Sequence, residues 1–406
     1  MSPDDAAVYH GASETFYRRV ERARATDTPL GSATARKWFR APVTITTVDH
    51  VLATLVNGYR GAAVARGNLM RAGIVFDELH TYDDRLTSRI FGALAHLSEL
   101  SIPWYVMTAT LPDRLRDHRQ LDAATVHVSD GRLAATEPPR EPFTLQSINA
   151  SLTADRVTDA RSETGATTVL VVKNTVRAAQ RVAQRLDATT DGEVIYYSSE
   201  FPTVDRYAKE ETIRDALADD VNPDEPVYLV STQVCELSLD LSADLVLSDI
   251  APLDALLQRA GRIHRRGVGV TPDACRARSA ECSQCRTGSQ PASYECRVYD
   301  TLATDERCLP YAESRDDPMW EILKRSAAVV EREERYDFTA TLDWLNEVYT
   351  DQSPPSGVTF RQCARQDRLF GPPRAVYTES QSGEPLLLRD THSYRTRVFP
   401  SRYELA

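Results

Sequence analysis

The sequence lacks any run of about 18 consecutive apolar residues, the length that a membrane-spanning helix needs. It contains no Gly-Lys dipeptide, which excludes a phosphate-binding loop of the form GxxxxGKS/T. It also contains no His-Asp dipeptide from which a metal-dependent nuclease could be argued. The first residues, MSPDDAAVYHG, have neither the basic start nor the apolar centre of a signal peptide. We therefore expect a cytoplasmic protein with no membrane partner.

Lysine is scarce as well, because arginine supplies nearly all of the 48 basic residues. The 59 acidic residues outnumber them, and the resulting net charge of −11 is unexpected for a protein that binds nucleic acid. A local basic groove is nevertheless enough to follow a phosphate backbone. The length of 406 residues and the apolar fraction of 42% allow about two or three packed domains.

The seven cysteines are an odd number, and four of them lie close together at Cys275, Cys282, Cys285 and Cys296. This pattern suits metal binding or free thiols in a reducing compartment better than a disulfide framework. Four thiolates can hold a tetrahedral zinc ion, which stabilises a segment that has no apolar core. We therefore predict a zinc site here, with free loop thiols as the alternative.

The richest chemical signal lies in residues 228–267, YLVSTQVCELSLDLSADLVLSDIAPLDALLQRAGRIHRRG. Two apolar runs, Val227–Val230 and Leu245–Ser248, predict short buried strands, and Pro252 opens a predicted helix that runs to Ala260. The polar stretch Ser231–Asp240 is predicted to be a loop at the carboxyl end of the first strand. In open parallel sheets that end is the usual ligand site. The loop would bring these polar residues to the site: Thr232, Gln233, Glu236, Ser238 and Asp240.

The predicted helix ends in a basic motif. Gln258 and Arg262 lie four residues apart on one helix face, Arg265 follows one turn later, and Gly261 leaves room for close approach. Guanidinium groups match the oxygens of a triphosphate and keep their charge. We therefore predict a phosphate-facing surface. The alternative is a solvated helix end whose arginines only complement the helix dipole.

A DExH sequence follows the apolar run Ile74–Phe76. Nucleotide hydrolysis needs one carboxylate to hold Mg²⁺ across the phosphates and a second to orient the attacking water. We predict the first role for Asp77, the second for Glu78, and coupling to neighbouring sites for His80. The alternative is that this acidic sequence is an ordinary helix N-terminus.

Three further predicted strand ends carry polar residues. Thr108 and Thr110 have small hydroxyl side chains that can switch hydrogen bonds between a nucleotide site and a nucleic-acid site. Thr47 follows an early strand, and Asn174 and Thr175 follow the predicted strand over residues 167–172, each just before a helix. A helix N-terminus favours phosphate contact, which predicts such a contact at Asn174 or Thr175. Ordinary helix capping by these side chains is the alternative.

Together these motifs resemble superfamily 2 helicases. The combination TQV-x-E-x-S-L-D and QRAGR-x-x-R resembles the CRISPR-associated helicase-nuclease of type I systems. The resemblance implies ATP and Mg²⁺ as cofactors, Arg262 and Arg265 as arginine fingers, and Asp240 at the ribose or a metal-bound water. It also implies that Gln258 contacts the γ-phosphate. The nucleic-acid contacts that we predict are Thr47, Asn174, Thr175, Thr232 and Gln233.

The resemblance predicts an α/β fold with tandem RecA-like domains at residues 1–140 and 141–270, of which the first is N-terminally incomplete. A cysteine-rich insertion at 271–300 and a mixed C-terminal region at 301–406 would follow, and we place the inter-domain connection within 120–164. The implied partners are single-stranded and R-loop DNA, a guide-RNA surveillance complex, and an upstream helicase or nuclease polypeptide. The chain would be an ATP-dependent DNA helicase that is inactive alone. The alternatives are another superfamily 2 helicase and a non-catalytic DNA-binding subunit.

Overall fold

The structure is a computed structural model that describes residues 6–9, 38–55, 62–79, 82, 84–108, 112–116, 118, 121, 144–217, 225–237, 241–263, 295–333 and 338–350. These residues divide into two compact units, one before and one after the gap at 122–143. Within the described ranges, no helix combines the length and the apolar character that crossing a membrane requires.

The described residues of the first unit form two pairs of parallel strands and four helices. Its elements are β1 (Ala6–Tyr9), β2 (Val43–Thr46), α1 (Val48–Leu55), α2 (Ala62–Leu69), β3 (Ile74–Phe76), α3 (Asp84–Glu99), β4 (Trp104–Val106) and α4 (Asp113–Arg116). β1 pairs with β2, and β3 pairs with β4. Helix α3 repeats Leu86, Ile90, Leu94 and Leu97 at helical spacing and buries all four. This stripe forms the core on which β3 is fixed.

The described elements of the second unit are β5 (Thr144–Ile148), α5 (Ala154–Thr164), β6 (Thr168–Val172), α6 (Val176–Thr189), β7 (Glu193–Tyr197), α7 (Thr203–Ala216), β8 (Val227–Ser231), α8 (Val234–Leu237), β9 (Leu245–Asp249), α9 (Leu253–Ala260), β10 (Glu295–Tyr299), α10 (Pro318–Val330) and α11 (Phe338–Val348). The strands form a six-stranded sheet with the order β5-β10-β9-β6-β8-β7, in which all pairs are parallel. The predicted α/β class is confirmed.

Successive residues of the central strands enter two different cores. In β6, Val169 and Val171 belong to one buried cluster, whereas Leu170 and Val172 belong to another on the opposite face. Burial on both faces is typical of parallel sheets with helices on each side. It explains why β6, β8 and β9 are continuous apolar runs in the sequence.

Two segments differ from our expectations. β5 and α5 belong to the second unit, so the connection that we placed at 120–164 ends before Thr144. Within the stretch assigned to a cysteine-rich insertion, β10 is a sheet strand between β5 and β9. The helices α10 and α11 pack on the same core as that strand.

Candidate functional site

Two exposed carboxylates follow β3 in the first unit. Phe76 and Leu79 are buried on either side of them and fix the backbone. Between these anchors, Glu78 has a φ of 52°, a left-handed conformation that is uncommon for a residue with a side chain. Its N–H donates to Oδ1 of Asp77 at 3.0 Å. Backbone strain of this kind costs on the order of 1 kcal/mol and is frequent at functional sites. The turn exposes both carboxylates that we predicted for Mg²⁺ and water.

The end of β4 holds this turn in place. The N–H of Met107 donates to the carbonyl of Phe76 at 2.8 Å, and the N–H of Leu79 donates to the carbonyl of Met107 at 3.4 Å. Thr108, half-buried, comes directly after Met107. The structure therefore brings Thr108 to the same strand edge as Asp77.

Thr47 is exposed and directly precedes α1, so it remains a prediction both as a DNA contact and as a cap. Its carbonyl accepts the N–H groups of His50 and Val51 at the start of that helix. Apart from the cysteines, five other predicted site residues lie outside the described residues: His80, Thr110, Ser238, Asp240 and Arg265.

A buried arginine is the centre of the second unit's polar site. Arg259, the first arginine of the QRAGR motif, has a relative exposure of 0%. Its guanidinium donates to five acceptors among the described residues, which are Glu236 Oε1 (2.8 Å), Asn174 Oδ1 (3.2 Å), Ser248 Oγ (2.8 Å), the Asp249 carbonyl (3.2 Å) and the Tyr311 hydroxyl (2.8 Å). These partners lie after β6, in α8, at the end of β9, and between β10 and α10. Arg259 thus joins the carboxyl ends of the sheet to a segment beyond it.

A second, partly buried ion pair lies beside this network. Nζ of Lys173 donates to Oδ1 of Asp249 at 2.5 Å and to the carbonyl of Leu152 at 3.1 Å. The other carboxylate oxygen of Asp249 accepts the N–H of Asn174 at 3.0 Å. We predicted neither Lys173 nor Asp249, although each stands at the end of a continuous apolar run, which is the signal that could have found them.

Asn174 has a structural role that differs from the predicted DNA contact. Its side chain is 7% exposed, and Nδ2 donates to the carbonyl of Ile250 at 2.7 Å while Oδ1 accepts from Arg259. Both ends of the amide are therefore engaged inside the protein. Nε2 of Gln233 donates to the Asn174 carbonyl at 2.8 Å, which adds a further link to the β8 loop.

Thr175 is the N-cap of α6, since its hydroxyl accepts the N–H of Ala178 at 3.3 Å. The capping alternative is thus observed, and the half-buried Thr175 stays a predicted backbone contact. Thr232 is buried after β8, and its carbonyl accepts the N–H of Cys235 as α8 begins. That short helix replaces part of the loop that we predicted over 231–240.

Arg262 follows the end of α9, where it turns inward. It is 7% exposed, and its Nη2 donates to the backbone carbonyl of Glu236. Glu236 therefore holds Arg259 through its carboxylate and Arg262 through its carbonyl. Gln258 is half-buried on α9. Gly261 has an ordinary helical φ of −62°, and a Cβ there would lie 3.2 Å from the carbonyl of Leu257, so its small size serves packing within its own helix.

The network keeps its arginine charged. Burial alone would lower the pKa of Arg259, but the charge that Tyr311 carries at high pH and the Glu236 carboxylate outweigh it, and the pKa lies above its ordinary value. Burial raises the pKa of Tyr311 to about 12, against the opposing effect of Arg259. At neutral pH Tyr311 is therefore a neutral hydroxyl that accepts from a cation.

The predicted zinc site needs one correction. Cys296 lies in β10, and its side chain is fully buried in the apolar core. Burial raises the pKa of this thiol to about 12, which disfavours the thiolate that zinc requires. Cys296 is therefore a core residue. Cys275, Cys282 and Cys285 lie outside the described residues. Among the described residues, no three or more His, Cys, Asp or Glu side chains form a group that could hold a metal ion.

Zinc binding by the other three cysteines stays a prediction. Metal analysis of protein purified without a histidine tag should give about one zinc per chain, and Cys282→Ser should remove it. Cys296→Ala is the control and should keep the metal, because that thiol faces the core. Metal-free protein in which the thiols of Cys275, Cys282 and Cys285 all react would contradict the prediction.

The six-stranded parallel sheet, with buried clusters on both of its faces, has the RecA-like fold of solved Cas3 structures. Residues 165–268 match the family described as "CRISPR-associated nuclease/helicase Cas3, C-terminal". The chain is 37% identical over 229 residues to a putative CRISPR-associated nuclease/helicase Cas3 of Myxococcus xanthus, covering 55% of this chain and 29% of that protein. It is 30% identical over 237 residues to the corresponding Methanocaldococcus jannaschii protein, covering 56% and 32%.

The crystal structure of T. fusca Cas3 has the same fold, with a TM-score of 0.64 and 19% identity over 89% of this chain and 49% of that one. These findings confirm the resemblance of this chain to CRISPR Cas3 helicases. Its matches span about a third of the length of the curated relatives.

Proposed function

We propose that this chain is the motor part of a CRISPR interference helicase, which uses ATP to move along target DNA and unwind it. The observation that carries the proposal is the presence in one chain of two exposed carboxylates after β3 and a QRAGR motif at the carboxyl edge of a parallel sheet. Solved structures of similar fold include T. fusca Cas3-ATP and a CRISPR RNA-guided surveillance complex in a pre-nicking state. These support ATP as cofactor and such a complex as partner.

The carboxylates fit Mg²⁺ with ATP. Mg²⁺ prefers hard oxygen ligands and is usually held by one or two carboxylates together with phosphates and waters. Asp77 and Glu78 are exposed oxygen donors of this kind. When bound, the ion would neutralise charge on the phosphates. Asp77 would hold it, and Glu78 would orient the attacking water.

The second unit would supply positive charge to the transition state. Arg262 and Arg265 would act as arginine fingers, Gln258 would contact the γ-phosphate, and Asp240 the ribose or a metal-bound water. The bond from Nη2 of Arg262 to the carbonyl of Glu236 would hold this guanidinium in position. His80, with Thr108 and Thr110, would couple hydrolysis to movement.

The substrate of this motor would be the displaced DNA strand of an R-loop. A guide-RNA complex selects the target by base pairing and opens that loop. Thr47, Thr175, Thr232 and Gln233 are the residues that we propose near the DNA backbone. Of these, Thr47 is exposed at the start of α1, where backbone amides favour phosphate.

A partner polypeptide would complete the first unit. The sequence has no GxxxxGKS/T loop to cradle the phosphates. Val75 and Tyr105 face each other across β3 and β4, and with Met107 they are 53%, 61% and 54% exposed. Parallel strands are normally covered on both faces. We propose that an upstream helicase or nuclease polypeptide supplies both the phosphate loop and this cover.

The test is reconstitution with the polypeptide encoded immediately upstream, provided that it carries GxxxxGKS/T. The mixture should hydrolyse ATP faster when single-stranded DNA is added, and it should unwind a duplex with a 3′ single-stranded tail. A non-hydrolysable ATP analogue is the control and should stop unwinding. Unwinding of RNA but not DNA would favour another superfamily 2 helicase. Tight DNA binding without hydrolysis would favour a non-catalytic subunit.

A further inference from the structure

We infer that Tyr311 is a positioning residue for the helicase arginines and that it acts through Arg259. The inference rests on the proposed function. Tyr311 lies between β10 and α10, far along the chain from the QRAGR motif, and its hydroxyl accepts from Nη2 of Arg259 at 2.8 Å. A segment beyond the sheet would thereby set the position of the motif that the motor uses.

The turn that carries Tyr311 is fixed to the sheet. Cys308 and Ala312 exchange two backbone hydrogen bonds of 2.9 Å, and the N–H of Tyr311 also donates to the carbonyl of Cys308. The Cys308 thiol packs near Nδ2 of Asn174 (3.7 Å) and the carbonyl of Ile250 (3.8 Å). Tyr311 is therefore presented to Arg259 by a turn that itself contacts the ends of β6 and β9.

A continuous chain of hydrogen bonds leads from this turn to Arg262. Tyr311 accepts from Arg259, Arg259 donates to the carboxylate of Glu236, and the carbonyl of Glu236 accepts from Arg262. A guanidinium is a rigid planar fork, so a tilt at Nη2 moves Nε as well. Without the Tyr311 hydroxyl, the buried guanidinium of Arg259 loses one of its hydrogen-bond acceptors. Arg259 would tilt, and Glu236 and Arg262 would move with it.

The chain offers a matched control on the same helix. The hydroxyl of Tyr349 donates to Oδ1 of Asp254 at 2.5 Å, at the start of α9. Tyr349→Phe and Tyr311→Phe therefore each delete one hydroxyl that bonds to a charged group of α9. Only Tyr311→Phe affects a contact of Arg259. The comparison separates general loosening of α9 from a specific effect on the arginines.

The experiment measures ATP hydrolysis by the chain reconstituted with its upstream polypeptide. Tyr311→Phe should lower kcat about tenfold and leave the KM for ATP within about twofold, because the lost bond is to a charged group. Tyr349→Phe should keep kcat. The two variants should shift the melting temperature by similar small amounts. Glu236→Gln should also lower kcat, and the double variant with Tyr311→Phe should lose little more, since both act on one path. Unchanged kcat in Tyr311→Phe, or losses that multiply in the double variant, would overturn the inference.

A second measurement keeps the inference testable without hydrolysis. In the chain alone, Tyr311→Phe should speed hydrogen exchange of the α8 amides, Val234–Leu237, whereas Tyr349→Phe should not. If the α8 amides exchanged at equal rates in the two variants, the link between Tyr311 and α8 would be refuted. If the wild-type reconstituted protein failed to hydrolyse ATP while this difference persisted, the proposed function would fall and the structural link would stand.

Discussion

Replacing Arg262 with alanine should lower the ATP turnover of the reconstituted helicase by a factor on the order of 10³, with little change in nucleotide affinity. An arginine finger acts on charge that develops in the transition state, so its loss affects kcat far more than ground-state binding. The measurement is steady-state ATP hydrolysis with single-stranded DNA, beside nucleotide affinity by titration calorimetry.

The matched control for this variant is Arg214→Ala, which removes an exposed arginine from α7 and should keep full turnover. Thermal melting of both variants reports whether the fold is intact. A loss of only a few-fold in Arg262→Ala would mean that the bond to the Glu236 carbonyl is the main role of Arg262. Arg262 would then be a structural residue.

The central strands could be predicted because burial on both faces of the sheet requires a continuous run of apolar residues in the sequence. β6, β8 and β9 agree with the sequence prediction to within one residue at each end. β10 could not be predicted in this way, because its residues ECRVY combine a buried cysteine with half-buried charged residues. In that strand Cys296 takes the core position of an aliphatic side chain. In the sequence, however, Cys296 stands near three other cysteines, and this pattern predicts metal binding.

The candidate site shows a different limit of sequence reasoning. The QRAGR motif is evident in the sequence, but the motif alone does not reveal which of its arginines is buried inside the protein. Arg259 is buried because its acceptors come from β9, α8 and a turn at Tyr311, and only the fold brings these together. The internal hydrogen bonds of Asn174 could not be predicted for the same reason, since its buried partners are distant in the chain. Tyr311 carries no sequence signal that could have identified it.

The purified chain should not hydrolyse ATP or unwind DNA by itself. In a RecA-like domain the phosphate loop and its lysine cradle the β- and γ-phosphates with backbone N–H groups and an ammonium group. The acidic pair Asp77 and Glu78 can bind a cation but cannot donate to phosphate oxygens. Arg262 and Arg265 would neutralise charge in the transition state but would not replace that cradle.

Adding the upstream polypeptide should restore DNA-stimulated hydrolysis, and Glu78→Gln should abolish it, because the amide that replaces the carboxylate cannot activate the attacking water. Val64→Gln, which changes an exposed residue of α2, is the control from the same unit and should leave hydrolysis unchanged. The exposed face of Val75, Tyr105 and Met107 should also make the isolated chain less soluble than the mixture. Robust hydrolysis by the isolated chain, abolished by Glu78→Gln, would show that other groups of this chain hold the phosphates.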